Sequence, residues 1–207
     1  MQVEEKNIIQ SWSEAQIWEK NWHDNQQFNT YNEETKQYIY ASLMGLNRYA
    51  TNYYGIRGWD FGNQSVLDIG GGEISMLLKS RASKRVVVDP LNYVGWIRMR
   101  YKEAGIKFQN IKAEDIRFNE PFDIGIIYNC LQHTEHPSII VNKIKRYCKV
   151  IHVFEWINEG ISEGHIHNLT EEKLNEWFDG YGKVGNLNQY PCIGQYYCGI
   201  FKGEYYE

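Results

Sequence analysis

The stretch VLDIGGGEIS, residues 66–75, decides the fold. An apolar strand ends at Asp68, and Gly70, Gly71 and Gly72 follow. Three residues without a Cβ let the chain turn sharply and let a ligand approach the backbone closely. Outward from this turn, RVVVD (85–89), FDIGIIYN (122–129) and KVIHVFEW (149–156) are rich in Val and Ile and nearly continuous in hydrophobicity. Strands buried on both faces have that character. Between them, EISMLLKSRA (73–82), YVGWIRMRYKEA (93–104) and SIIVNKIKRYCK (138–149) read as amphipathic helices, the first beginning near Glu73. Strands alternating with helices imply βαβ units and a parallel sheet.

The last third is less regular. TEEKLNEWF (170–178) predicts a helix capped by Thr170, with two acids in its first turn. GQYYCGIFKG (194–203) reads as a final strand and YGKVGNLNQY (181–190) as its antiparallel neighbour. Residues 1–60 differ in character. They carry Trp12, Trp18 and Trp22 and a Tyr-rich stretch from Tyr38 to Tyr54. A helix start at Ser13–Glu14 and a second helix over 33–50 predict an N-terminal helical cap, a layer over the sheet or a lid over a cleft. Residues 61–207 would form the main domain.

Composition bounds the function. The 207 residues suffice for one domain with a full core, and a net charge of -4 gives no general attraction to phosphate backbones, which weighs against a nucleic-acid substrate. No run of about 18 apolar residues offers a membrane span. The N-terminal MQVEEKNIIQSWSEAQ has no secretory character. Cys130, Cys148, Cys192 and Cys198 form no C-x-x-C pair. They read as reduced thiols of a cytoplasmic protein.

Chemistry concentrates at the strand tips. Asp89 ends the strand after the glycine turn, 21 residues beyond Asp68 and just before Pro90. An acid there is placed to accept hydrogen bonds from ribose hydroxyls. IKAEDIRF (111–118) offers Glu114 and Asp115 at the end of an extended run, where an acid accepts an exocyclic amine. Asn129 ends the strand over 122–129, at the edge that borders the ligand crevice of an open α/β sheet.

Taken in order, VLDIGGGEIS, VVVDP, AEDIRF and FDIGIIYNCLQHTEHP resemble the class I S-adenosylmethionine-dependent methyltransferase family over roughly residues 64–202. The resemblance implies an α/β, Rossmann-like three-layer sandwich with a mostly parallel seven-stranded sheet whose final strand is antiparallel. It implies S-adenosyl-L-methionine as cofactor. Its methionine part would lie on Asp68 and Gly70–Gly72, its ribose on Asp89 beside Pro90, and its adenine by Glu114 and Asp115. Asn129 and Leu131 would border the sulfonium. QHTEHP (132–137) resembles the H-x-x-x-P stretch of many small-molecule and sugar methyltransferases. The family often carries a further glycine two or three positions after the loop, where this chain has Ser75.

An NAD-dependent oxidoreductase is the nearest rival, but it would want a glycine where Ile74 or Ser75 stands. A cofactor-binding, non-catalytic subunit of a methyltransferase complex is a second alternative. Removing a proton from an acceptor calls for a base near the methyl group. His133 is the first candidate, with Glu155 and His165 behind it. His165 and His167 form an H-x-H pair that would face one way on an extended segment, although a plain loop into the helix at Thr170 is the simpler reading. Position 128–131 reads YNCL rather than the [D/N]-P-P-[Y/F] of N6-adenine methyltransferases. The expected acceptor is a small molecule or a sugar.

Overall fold

The computed structural model describes residues 11–25, 30–53 and 55–205. Residues 1–10 of the expected cap and Tyr54 of its Tyr-rich stretch lie outside them. The described residues form ten strands: β1 (Ala50–Tyr53), β2 (Ile56–Asp60), β3 (Ser65–Ile69), β4 (Ser80–Arg81), β5 (Lys84–Val88), β6 (Lys107–Gln109), β7 (Phe122–Tyr128), β8 (Cys148–Ile157), β9 (Lys183–Gln189) and β10 (Cys192–Lys202). Five α-helices accompany them: α1 (Trp12–Asn25), α2 (Thr30–Leu43), α3 (Gly95–Glu103), α4 (Pro137–Tyr147) and α5 (Glu171–Trp177).

Seven strands form the main sheet in the order β6-β5-β3-β7-β8-β10-β9. β6 to β8 pair in parallel, and β10 runs antiparallel to both β8 and β9. This is the Rossmann-like α/β architecture with an antiparallel edge. The chain leaves β3 toward β5 and β6, then returns to β7 on the other side. The strand order therefore reverses between β3 and β7, where open sheets of this kind form a crevice at their carboxyl edge.

The period-two alternation of a strand divides the core into two layers. Leu67, Ile69, Val86 and Val88 pack on one face, with α4 and its Ile140, Val141 and Ile144. Val66, Val87, Ile124 and Ile126 pack on the other, against Tyr40, Ala41 and Met44 of the α2 region. Pro137 opens α4 at a position where a missing N–H costs nothing. Thr170 caps α5, its hydroxyl accepting the Lys173 N–H at 3.4 Å. Among the described residues no helix is long and apolar enough to cross a membrane.

Five local expectations need correction. Residues 73–82 are not an α-helix: a 3-10 turn spans only Met76–Lys79, and β4 follows, pairing in parallel with β2. The cause is Ser75, whose extended backbone and hydroxyl, tied to both Leu77 N–H and Asp68, delay the turn. The segment before residue 61 is not helical throughout, because β1 and β2 form a hairpin within it and join β4 in a second sheet. The second cap helix stops at Leu43, short of residue 50. Gly45, at φ 80°, breaks the path before a 3-10 turn over Leu46–Tyr49. Residues 113–115 form a 3-10 turn rather than an extended run. α1 begins at Trp12 instead of Ser13, since Ser11 and Glu14 exchange hydrogen bonds as a capping box.

Candidate active site

At the switch between β3 and β7, Gly70 and Gly72 adopt left-handed φ angles of 71° and 62°. A Cβ on Gly70 would stand 2.2 Å from Cys130 Sγ, so the loops leaving β3 and β7 touch directly. Asp89, at the tip of β5, is buried and clasps the glycine turn from the side. Its Oδ2 accepts the Gly72 N–H at 3.0 Å and its Oδ1 the Leu91 N–H at 2.9 Å. Burial raises the Asp89 carboxyl above the ordinary carboxylate range, and the two backbone donors pull it back only in part. Tyr101 holds the turn from below, donating to the Gly72 carbonyl at 2.7 Å.

Asp68 sits underneath this loop and does not line the cavity above it. Its side chain is wholly buried, and its Oδ2 accepts the Ser75 hydroxyl at 2.5 Å. Burial pushes the carboxyl up to about 8. Ser75, where a further glycine was expected, is thus a structural partner of Asp68.

A cavity of about 690 Å³ opens above the loop. Gly70–Gly72, Asp89, Pro90, Glu114, Asn129 and Cys130 line one end, and α1 and α2 roof it with Trp12, Trp18, Trp22 and Tyr40. Of the two neighbouring acids, Glu114 faces the cavity and accepts the His136 N–H at 3.1 Å, while Asp115 is exposed and points elsewhere. Asn129 takes a left-handed φ of 47° as the chain leaves β7, a conformation that costs an L-residue about 1–2 kcal/mol. Leu131 is fully buried in the core and does not line the cavity. Glu155 is also fully buried, behind the same turn. Its carboxylate accepts the Cys130 N–H (3.2 and 3.1 Å) and the Leu131 N–H (3.1 Å), and burial pushes it up to about 8.

The far end of the cavity holds a polar cluster. His133 Nδ1 lies 3.0 Å from the Gly164 carbonyl and 3.3 Å from Glu19 Oε2. Both neighbours only accept, so in the neutral ring Nδ1 carries the proton and Nε2 is the unprotonated nitrogen. The His133 and His165 rings meet edge to face at 4.6 Å, and the Gln132 amide nitrogen lies 3.4 Å from the Nε2 of each. Glu19 reaches a second imidazole, His23 Nε2, at 3.3 Å. Burial pulls both His133 and His23 down, but Glu19, helped by the Gly164 carbonyl and Glu155 at His133 and by Glu73 and Asp89 at His23, leaves both above the usual imidazole range. Burial raises Glu19 in turn, yet the two imidazoles hold it far below the carboxylate range. His165 is pushed down to about 4 by burial and by neighbouring His133.

His165 and His167 do not converge. His165 lines the cavity, whereas His167 Nε2 donates to the Thr134 carbonyl at 2.9 Å. No group of three or more His, Cys, Asp or Glu among the described residues is arranged to hold a metal ion. Sequence reasoning missed Glu19, His23 and Gln132. The Glu19–His23 spacing of four on a helix was the available signal, since such pairs share a face.

Residues 67–150 match the family model of a methyltransferase domain. No curated protein matches the chain. Solved structures share the fold. Burkholderia thailandensis 1,6-didemethyltoxoflavin-N1-methyltransferase, bound to 1,6-didemethyltoxoflavin and S-adenosylhomocysteine, superposes with a TM-score of 0.62 at 14% identity, over 91% of this chain and 86% of that one. The plantazolicin methyltransferase BpumL, in complex with S-adenosylhomocysteine, gives 0.60 at 12% identity over 93% and 95%. The YcgJ protein from Bacillus subtilis gives 0.50 at 17% identity, and this match spans 64% of that chain.

Proposed function

We propose that this chain is a class I S-adenosylmethionine-dependent methyltransferase, a reading supported by the match of residues 67–150 to a methyltransferase domain, and that it methylates a hydroxyl or amine of a small-molecule or sugar acceptor held beneath α1. The observation that carries this reading is one continuous cavity joining the glycine turn and Asp89 to His133 and the Trp residues of α1. A volume of about 690 Å³ must take cofactor and acceptor together, which suits a small acceptor and not a folded macromolecule. The tryptophans offer flat apolar faces on which a ring would stack.

The residues present fit the cofactor. At Gly72 a Cβ would meet nothing nearer than the Tyr93 hydroxyl at 3.9 Å, so its absence widens the cradle. Gly70–Gly72 would hold the methionine end, Asp89 the ribose hydroxyls, Glu114 the adenine side and Asn129 the region of the sulfur. Asp68 supports this set from below through Ser75. S-adenosylmethionine supplies, when bound, a methyl group on a positively charged sulfur. The protein's own contribution is position, exclusion of water by the α1–α2 roof, and proton removal. His133 would take the acceptor's O–H or N–H proton on Nε2 while Nδ1 keeps its own. The resulting imidazolium faces the Glu19 carboxylate. Glu155 would act by shaping the 129–131 turn, and His165, neutral near pH 7, by walling the acceptor end.

Calorimetric titration with S-adenosylhomocysteine tests the placement. Removing a charged hydrogen-bond acceptor costs about 1.5–3 kcal/mol, so Asp89→Ala should weaken binding roughly 10- to 100-fold. An affinity within threefold of the parent protein, with the variant folded, would overturn the reading.

A further inference from the structure

We propose that Glu19 of α1 is the positioning residue for His133, a carboxylate on the N-terminal cap whose charge holds the imidazole in place on the sheet. The inference deepens the proposed function and rests on the reading of His133 as proton acceptor.

Three observations carry it. First, Glu19 is only 17% exposed at its side chain, and burying a carboxylate is costly without a partner. Among the described residues its ion-pair partners are two imidazoles and no lysine or arginine: His23 at 3.3 Å, and His133 at 3.3 Å as a charge contact, the His133 Nδ1–H itself donating to the Gly164 carbonyl. Second, the ring of His133 is aimed by acceptors on its Nδ1 side, leaving Nε2 toward Gln132 and the cavity. Third, α1 is locked in register with this loop, because Gln16, one turn before Glu19, donates its amide to the His133 carbonyl at 3.4 Å. The same helix face thus touches both the backbone and the ring of His133.

The surroundings of His133 leave Glu19 as the group that matters most. Glu155 lies behind the 129–131 turn with both oxygens taken by backbone N–H groups. Glu159 contacts His165 Nδ1 at 3.6 Å and feels His133 only at longer range. His165 is itself pushed down to about 4, so it adds no positive charge near neutral pH. The Gly164 carbonyl orients Nδ1–H but carries no net charge. On the other side, His23 is faced by Glu73 at 3.7 Å and by the Tyr93 ring at 5.6 Å, with Asp89 acting on it at longer range. Glu19 therefore ties the acceptor-side imidazole to the cofactor side of the cavity through one helical turn. The base is complete only with α1 seated.

The test is a proton titration of the full chain labelled with ¹⁵N-histidine, the His133 signal being identified by its loss in His133→Asn. In the parent protein the nitrogen shifts should report the Nδ1–H tautomer; an Nε2–H tautomer would overturn the proposal without any variant. In Glu19→Gln, an isosteric change, the His133 midpoint should fall by about one to three pH units, the effect expected for losing an opposite charge at this distance. Glu19→Asp should recover part of that fall, which a merely structural role would not predict. A His133 midpoint in Glu19→Gln within about 0.2 unit of the parent value would overturn it. The reading of His133 as base fails separately, through undiminished methyl transfer by His133→Asn.

Discussion

Gly70→Ala should damage the fold and the site together, and the structure sets the size of the effect. The new Cβ would sit 2.2 Å from Cys130 Sγ and 2.8 Å from Cys130 Cβ. Cys130 cannot retreat freely, because its N–H is held by the buried Glu155 carboxylate at 3.2 and 3.1 Å. Overpacking of this kind costs about 1–3 kcal/mol. The φ of 71° adds about 1–2 kcal/mol once a side chain is present. Gly70→Ala should therefore lose about 2–5 kcal/mol of unfolding free energy. Cys130→Gly removes both clashing atoms, so in that background the same change should cost only the backbone part, about 1–2 kcal/mol. The cycle would then show about 1–3 kcal/mol of coupling between the two loops. Urea unfolding followed by tryptophan fluorescence measures all four proteins, with seven tryptophans as reporters. A cost below about 1 kcal/mol for Gly70→Ala, or an equal cost with and without Cys130, would refute the contact between the loops that leave β3 and β7.

Two further outcomes concern protons. The neutral form of His133 is the active base, and its affinity for protons is raised, so methyl transfer should fall as pH drops through a value above the ordinary imidazole range. In Glu19→Gln this acid limb should move to lower pH, and a pH–rate profile that stays put would contradict the pairing. His152 behaves oppositely. It is fully buried between the sheet and the cap, its Nδ1–H donates to the Met44 carbonyl at 2.7 Å, and burial pushes it down to about 4. The unfolded chain takes up a proton near pH 6.5 and the folded one does not, so stability is full above that pH and falls as pH drops toward 4, by about 3 kcal/mol. The stability difference between the parent and His152→Asn should vary by that amount across this window; a difference independent of pH would show that His152 is not held neutral.

The sheet was legible because buried strands leave a simple trace. Val66–Leu67, Val86–Val88 and Ile124–Ile127 are runs of apolar residues and glycine without a charge, which suits burial on both faces, and their order alone gives the parallel core. The glycine turn and Asp89 were legible for a related reason: both are fixed by strand ends, and strand ends are local. The stretch 73–82 was not. Its apolar residues fit a helix, but the outcome was settled by a bond from Ser75 to Asp68 and by the pairing of Ser80 with Trp59 on β2, neither of which has a sequence period. Glu19 was hidden more deeply, since its partner lies 114 positions away and the pair exists only because α1 crosses the crevice.

The acids show where the limit of such reading falls. Asp68, Asp89, Glu114, Asp115 and Glu155 all stand at or near the carboxyl edge of the sheet, and sequence position gives each the same claim to a ligand. Their surroundings separate them. Asp89 and Glu114 face the cavity, Asp115 faces solvent, and Asp68 and Glu155 are wholly buried beneath the two loops that form its floor. The buried pair have a shared task. Asp68 holds Ser75 and so sets the path out of the glycine turn, while Glu155 gathers the N–H groups of Cys130 and Leu131 and so holds the turn that starts at the left-handed Asn129. Each carboxyl is raised to about 8 by that burial, a cost accepted to bring Gly70 and Cys130 into contact. A strand tip can supply an acid, but whether the acid points up at a ligand or down at a backbone amide is decided by the neighbouring loop. The floor of this site is built by two carboxyls that point down.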